Sequence, residues 1–266
     1  MKHNLNHSWN TSQYSKTSDL QASASDELIE NLQIKPDENV LDIGCGIGNI
    51  TMNLASIAYR GHVMGIDDSS SMINQANKNL FSGSLPNISF QVMSATELDF
   101  NRQFDVVFSN SVFHWIKNQE KILQAIHKSL KSGGRLGVQF PLLDEFHPMI
   151  SLVNMASRHL SLENYYEKRE FPWFVPESVY KYTVLLNQFD YKNVIVREVE
   201  TYYIFNSTLS VINFFKAVGL DILLEPLSGK DRILLENELI NLLVQQNNAN
   251  GIRLGFHRLY VYADRS

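Results

Sequence analysis

Cysteine is almost missing from this chain: Cys45 is the single thiol in 266 residues, so no intramolecular disulfide can form. That usage fits a reducing compartment. No stretch of about 18 apolar residues occurs, so a helical membrane span is not expected. The opening residues MKHNLNHSWNTSQYSK are polar and lack the apolar centre of a secretory signal. The expectation is a cytoplasmic protein, and the N-x-S/T matches at Asn10, Asn87 and Asn206 then carry no glycosylation reading. Positive charge is also scarce, with 23 Lys and Arg against 28 Asp and Glu, a formal net charge of −5. No dense basic run is present, which argues against a nucleic-acid partner, because such partners need many phosphates neutralised. With one cysteine there is no C-x-x-C pair, and no metal is expected. No G-x-S-x-G nucleophile elbow occurs. Internal repeats and Pro/Gly/Ser linkers are absent too, so nothing cuts the chain into separate domains.

What is present is an ordinary globular composition, 44% hydrophobic and 19% charged. The apolar spacing from Ser18 to Asn31 predicts an amphipathic helix. An alternation follows: strands at Asn39–Ile43, His62–Ile66, Ile88–Met93, Phe104–Ser109 and Arg135–Phe140, with helices near Asn49–Ala58, Ser69–Leu80 and Asn118–Leu130. The last of these helices is expected to stop at Gly133-Gly134. Short apolar strands alternating with helices point to βαβ units and a parallel sheet covered on both faces. After Pro141 the pattern changes, and residues 142–176 read as irregular helices rich in Met, Tyr, Phe and His. A helix over Glu177–Gln188, a β-rich run over Val194–Ile204, helices over Leu209–Val218 and Lys230–Gln246, and a strand over Leu254–Ala263 complete the chain. The expected fold is α/β and Rossmann-like: a seven-stranded, mostly parallel sheet in one domain, with antiparallel late strands. A helical cap is expected from about 1–17, 142–176 and 207–246.

The strongest chemical signal is VLDIGCGIGN, Val40 to Asn49. A strand runs into Gly44-x-Gly46-x-Gly48, and a helix follows. Glycines suit a sharp turn that a ligand approaches closely, and free N–H groups at a helix start favour ligand oxygens. Asp67 ends the next strand, where a carboxylate can accept both hydroxyls of a ribose. A nicotinamide-dinucleotide site would carry G-x-G-x-x-G, and here the spacing is G-x-G-x-G. Asp42 stands two residues before Gly44. A carboxylate there would repel a pyrophosphate but attract an ammonium or a sulfonium.

These stretches, with GIDDSSSMINQA and FDVVFSNSVFHWIKNQEKILQAIHKSLKSGGRLGVQF, resemble class I S-adenosylmethionine-dependent methyltransferases. Within that class the sequence is most similar to the trans-aconitate and, more loosely, juvenile-hormone-acid methyltransferases, both of which methylate carboxylates. That narrower likeness rests on Trp9 to Tyr14, on the His114-Trp115 pair and on the C-terminal NFFKAVGLDILLEPLSGKDR…NGIRLGFHRLYVYA. The resemblance implies that S-adenosylmethionine is the cofactor. Asp42, Gly44, Cys45 and Gly46 would line its methionine end, Asp67 would hold the ribose, and Asp68 and Met72 would flank the adenine. Ser94 and Ala95 would meet the adenine edge, and Asn110 would place its backbone near the amino group. One departure is visible. Relatives often end the third strand in Gly-Asp-Ala, whereas this chain has Met93-Ser94-Ala95.

On the reaction side, His114 and Trp115 follow the fourth strand, where open α/β sheets carry their ligand crevice. Trp9 and Tyr14 are lid candidates. A carboxylate acceptor is best gripped by an arginine; the candidates are Arg158, Arg169, Arg253 and Arg258, with His147, Tyr165, Tyr166 and Trp173 completing the cap. Arg258 and Tyr166 lead this group. The expected partner is a small-molecule substrate, not nucleic acid or membrane. Two alternatives stand beside carboxylate methylation: an acyl-carrier-bound, nitrogen or carbon acceptor, and a non-catalytic binding protein that kept the fold.

Overall fold

The structure, a computed structural model, describes residues 18–81, 85–166 and 170–266. Helix α1 (Ser18–Leu32) leads to β1 (Val40–Ile43), whose four residues are all buried, as a central strand requires. Then come α2 (Asn49–Ile57), β2 (Val63–Asp67), α3 (Ser70–Phe81), β3 (Ile88–Val92), β4 (Phe104–Asn110), α4 (Gln119–Ser129) and β5 (Leu130–Pro141). Helices α5 (Pro148–His159) and α6 (Val179–Asn187) precede strand β6 (Tyr191–Phe205). The helices α7 (Thr208–Val218), α8 (Leu220–Leu224) and α9 (Gly229–Gln246) then lead to strand β7 (Ile252–Arg265). Among the described residues the sheet has seven strands in the order β3-β2-β1-β4-β5-β7-β6, mostly parallel with one antiparallel hairpin.

Register explains why the strand ends converge. Val40, Leu41 and Asp42 of β1 pair with Val63, Met64 and Gly65 on one side and with Val106, Val107 and Phe108 on the other. Asp67 of β2 pairs with Val92 of β3, and Asn110 of β4 with Gln139 of β5. The carboxyl ends of β1 to β4 thus finish along one edge, the place where parallel sheets present loops to ligands. Each apolar side chain buried here, such as Leu41, Ile43, Ile66, Val106 or Val138, contributes about 1.5–3 kcal/mol.

Two compact units divide the chain. The first comprises the described residues up to Phe140 with Pro176–Glu198 and Leu259–Ser266; the second comprises Pro141–Val175 and Val199–Arg258. Strands β6 and β7 each run from one unit into the other along the chain. In the first unit Arg135 pins α1 to the sheet: Nε donates to Leu32 O at 3.0 Å, and Nη1 and Nη2 donate to the Glu38 carboxylate at 3.0 and 2.5 Å. Buried Tyr182 of α6 donates to Gln119 Oε1 at 2.7 Å. In the second unit α5 and α7 pack on α9, and Ser207 and Ser210 close a reciprocal capping box on α7. No helix among the described residues is long and apolar enough to cross a membrane.

Three local expectations change. Helix α4 ends at Ser129, one residue from its expected end, but β5 already starts at Leu130 instead of Arg135. The glycines instead sit where the β4–β5 register shifts, between the pairs Phe104↔Leu130 and Val106↔Arg135. Residues 142–176 contain a regular twelve-residue helix, α5, opened by Pro148 at its first turn. Gly219, at φ 125°, separates α7 from the short α8, which the apolar run Leu220–Leu224 concealed.

Candidate functional site

The site grows from the β1–α2 turn. Gly44, Gly46 and Gly48 take positive φ of 75°, 54° and 85°, a region glycine enters without penalty. At Gly44 the need is steric as well, since a Cβ would lie 2.1 Å from Val112 Cγ2. The turn is tied to β2 by its own amides: Gly44 N and Cys45 N both donate to Ile66 O, at 2.7 and 2.9 Å. Gly46 N donates to Asp67 Oδ2 at 3.0 Å, and Ser69 N donates to Asp67 Oδ1 at 2.9 Å. Asp67 therefore stands fixed at the end of β2, each carboxylate oxygen holding one amide and keeping a further lone pair.

Asp42 lies beneath the same turn, 2% exposed, and accepts a 2.7 Å hydrogen bond from Thr51 Oγ1 of α2. Burial pushes its carboxyl up from 3.8 to about 7, against the Thr51 hydrogen bond and with help from the Asp67 charge. Burial also raises Asp67, opposed by the Ser69 and Gly46 amides and reinforced by Asp68. Cys45 is buried between them. Desolvation first, then the charges of Asp42 and Asp67, hold its thiol well above the ordinary range, so it stays protonated. Two acidic groups reluctant to ionise on their own form a place that welcomes positive charge.

The other expected residues gather at the same strand ends. Asp68 is exposed just past β2, whereas Met72 of α3 is buried, 3% exposed, with its amide on Ser69 Oγ at 3.4 Å. Ser94 caps the short 3-10 turn Ala95–Glu97 after β3, its hydroxyl accepting from Thr96 N at 3.3 Å. Asn110 ends β4 almost buried. The next residue, Ser111, takes φ 62° and donates its amide to Gln139 O at 2.7 Å. His114 and Trp115 lie in the 3-10 turn Phe113–Trp115, with ring centroids 4.9 Å apart, His114 buried and Trp115 half-buried. Three contributors escaped the sequence reading. Thr51 faces Asp42 from the first turn of α2, Ser69 braces Asp67, and Val112 fills the space Gly44 leaves. Thr51 had a findable signal, a hydroxyl on the helix that directly follows the glycine turn.

The remaining candidates belong to the second unit. Tyr166 donates its hydroxyl to Leu223 O at 3.1 Å and lines a hollow of about 220 Å³ with Asn154, Ser157, Arg158 and Glu163. Tyr165 is exposed and donates to Asp231 Oδ2 at 2.9 Å, and Trp173 Nε1 donates to Leu143 O at 3.0 Å. Arg158 is exposed, and exposed Arg253 lies 3.6 Å over the Tyr202 ring. Arg258 and His147 are buried. Trp9, Tyr14 and Arg169 lie outside the described residues.

A family model described as a methyltransferase domain matches residues 34–182, from just after α1 into α6. The chain belongs to the methyltransferase-domain family. The chain is similar to the 235L protein, a putative methyltransferase of Invertebrate iridescent virus 6, at 35% identity over 146 residues, 55% of this chain and 52% of that one. It is also similar to the trans-aconitate 2-methyltransferase of Deinococcus radiodurans, at 31% identity over 133 residues, 50% and 49% of the two chains. The chain spans about half the length of the curated relatives it matches. Among solved structures, the fold is shared with a Haemonchus contortus phosphoethanolamine N-methyltransferase 2 in complex with phosphomonomethylethanolamine and S-adenosylhomocysteine. That match has a TM-score of 0.57 at 17% identity and covers 91% of this chain and 52% of the other.

Proposed function

We propose that this protein is an S-adenosylmethionine-dependent methyltransferase that esterifies a carboxylate of a small acid. The observation that carries the reading is the glycine turn locked onto Asp67 above buried Asp42. These residues fit the cofactor. Asp67 keeps an acceptor position on each oxygen for the ribose hydroxyls, and Asp42 gains its favourable state when an ammonium or sulfonium stands beside it. Asp68 and Met72 would flank the adenine and Ser94 and Ala95 meet its edge, the hydroxyl of Ser94 standing where relatives carry a carboxylate. Asn110 would offer its backbone to the amino group. When bound, the cofactor supplies an electrophilic methyl group.

The chain's own work is then orientation and exclusion of water. A carboxylate is ionised near neutral pH and needs no base, in contrast to nitrogen and hydroxyl acceptors. Buried His114 and its neighbour Trp115 wall the crevice after β4. Support for a carboxylate acceptor comes from the likeness to trans-aconitate 2-methyltransferases. Residues 142–176 and 207–246, the proposed cap, are assigned the choice of acceptor. We infer action on a small molecule in the cytosol, consistent with the lone reduced thiol.

Calorimetric titration with S-adenosylmethionine and with S-adenosylhomocysteine tests the cofactor assignment. The expected result is saturable binding to the native protein and its loss in Asp67→Ala, with the variant still folded by circular dichroism. Absence of binding to the folded native protein would refute the enzyme reading and leave the non-catalytic one. Mass-spectrometric detection of methyl esters from a panel of acids then tests the acceptor; methylation confined to amines or carbon would overturn it.

A further inference from the structure

Within the second unit, strand β7 sends alternate side chains to one face, and Leu254, Phe256 and Arg258 form a buried row there. Arg258 is 4% exposed, and its Nε and Nη1 have no hydrogen-bond acceptor among the described residues. No carboxylate among them pairs with it. His147, 2% exposed, packs its ring edge-on against Phe256 at 5.3 Å and 67°, on the row that carries the arginine. Its Nδ1 is likewise unmet. His147 is also the residue before α5; its side chain makes no capping bond and Pro148 follows, so the positive end of a twelve-residue helix opens here. Around them Phe256 packs against Tyr203, Phe205 and Phe214. An aromatic lining lowers the local dielectric and makes an unpaired guanidinium costly to bury.

A fold keeps such an arrangement when something outside the chain completes it. We propose that Arg258, His147 and the N-terminus of α5 form a recognition pocket for a carboxylate of the small acid that the enzyme takes as acceptor. The proposal rests on the methyltransferase reading for its biological sense, though not for its geometry. Charge favours a carboxylate over a phosphate. Burial first, then Arg258 and His257, lowers the His147 imidazole to about 3, so it is neutral and the pocket carries a single positive charge. A carboxylate balances one charge and a phosphate dianion overshoots it. The neutral imidazole adds one directional hydrogen bond, donated to the carboxylate by its Nδ1–H tautomer. Because Nε and Nη1 point to different sides of the guanidinium, acids with a second, uncharged oxygen group such as a hydroxyl satisfy it best.

The test is thermal unfolding of the native protein without cofactor. The probes are small mono-, di- and tricarboxylic acids, their neutral amides and inorganic phosphate, followed by calorimetry on the best acid. The pocket predicts that acids raise Tm, that their amides do not, and that Arg258→Met weakens the best acid by about 100-fold. It also predicts that unliganded Arg258→Met melts higher than the native protein, because a buried unpaired charge is gone. Arg258→Lys, which keeps the charge without the planar fork, is expected to weaken the acid without abolishing binding. Equal stabilisation of native protein and Arg258→Met, no response of the native protein to any acid, or a larger shift with phosphate would each overturn the proposal. Cofactor affinity, measured in parallel, separates the two readings. If carboxylates bind through Arg258 while S-adenosylmethionine does not bind, the pocket stands and the enzyme falls. If the cofactor binds and no acid does, the pocket alone falls.

Discussion

Buried Asp42 ties cofactor affinity to pH in a way that follows from its surroundings. Its carboxyl titrates near 7 in the free protein, and a cation beside it favours the ionised form. Affinity is then proportional to the fraction already ionised. That fraction is about 3% at pH 5.5 and about half at pH 7, so S-adenosylmethionine should bind about 16-fold more tightly at pH 7, roughly 1.6 kcal/mol. The ligand's own α-amino group stays protonated across this window and contributes little. Stability of the free protein runs the other way. A carboxyl raised above its unfolded value favours the fold below about pH 4, and that contribution is lost as pH climbs to about 7. Calorimetry in buffers of differing ionisation heat should register release of about 0.9 proton per ligand at pH 6 and about 0.5 at pH 7. Asp67 is also shifted upward, so Asp42→Asn isolates the effect: the slope should vanish while the remaining affinity is low. Thr51→Val removes the hydrogen bond that favours the ionised form and should move the curve to higher pH. A flat native profile, or a native slope retained in Asp42→Asn, refutes the reasoning.

Two further substitutions probe the same turn. Gly44→Ala puts a Cβ 2.1 Å from Val112 at φ 75°, and urea unfolding should report a loss of about 2–4 kcal/mol together with weakened cofactor binding. Ser94→Asp restores the acid that relatives carry while keeping a cap for the Thr96 amide. One charge-assisted hydrogen bond to the adenine edge should tighten cofactor binding by about 10-fold in the same titration.

The β1 turn was legible because its signals are local: buried strand, glycines, then helix, with Asp67 set by the next strand. Asp42 was legible as a carboxylate but not as a raised one, since its burial comes from Thr51 and the packed turn. The α4–β5 junction misled because a glycine pair marks a helix stop and a strand irregularity equally well. Only the pairing of Leu130 with Phe104 decides between them. Arg258 was visible as one of four candidate arginines. Its lack of an acceptor depends on tertiary packing around Phe256 and on His147, 111 positions earlier, which no local pattern encodes.

The lone thiol of Cys45 has a practical consequence. Kept protonated first by its burial in the glycine turn and then by two neighbouring acids, it is shut off from alkylating agents and oxidants while the turn is closed. Modification then requires an opening event. The rate at which iodoacetamide labels the native chain becomes a clock for that opening, read without attaching any probe, and a ligand that braces the turn should slow it.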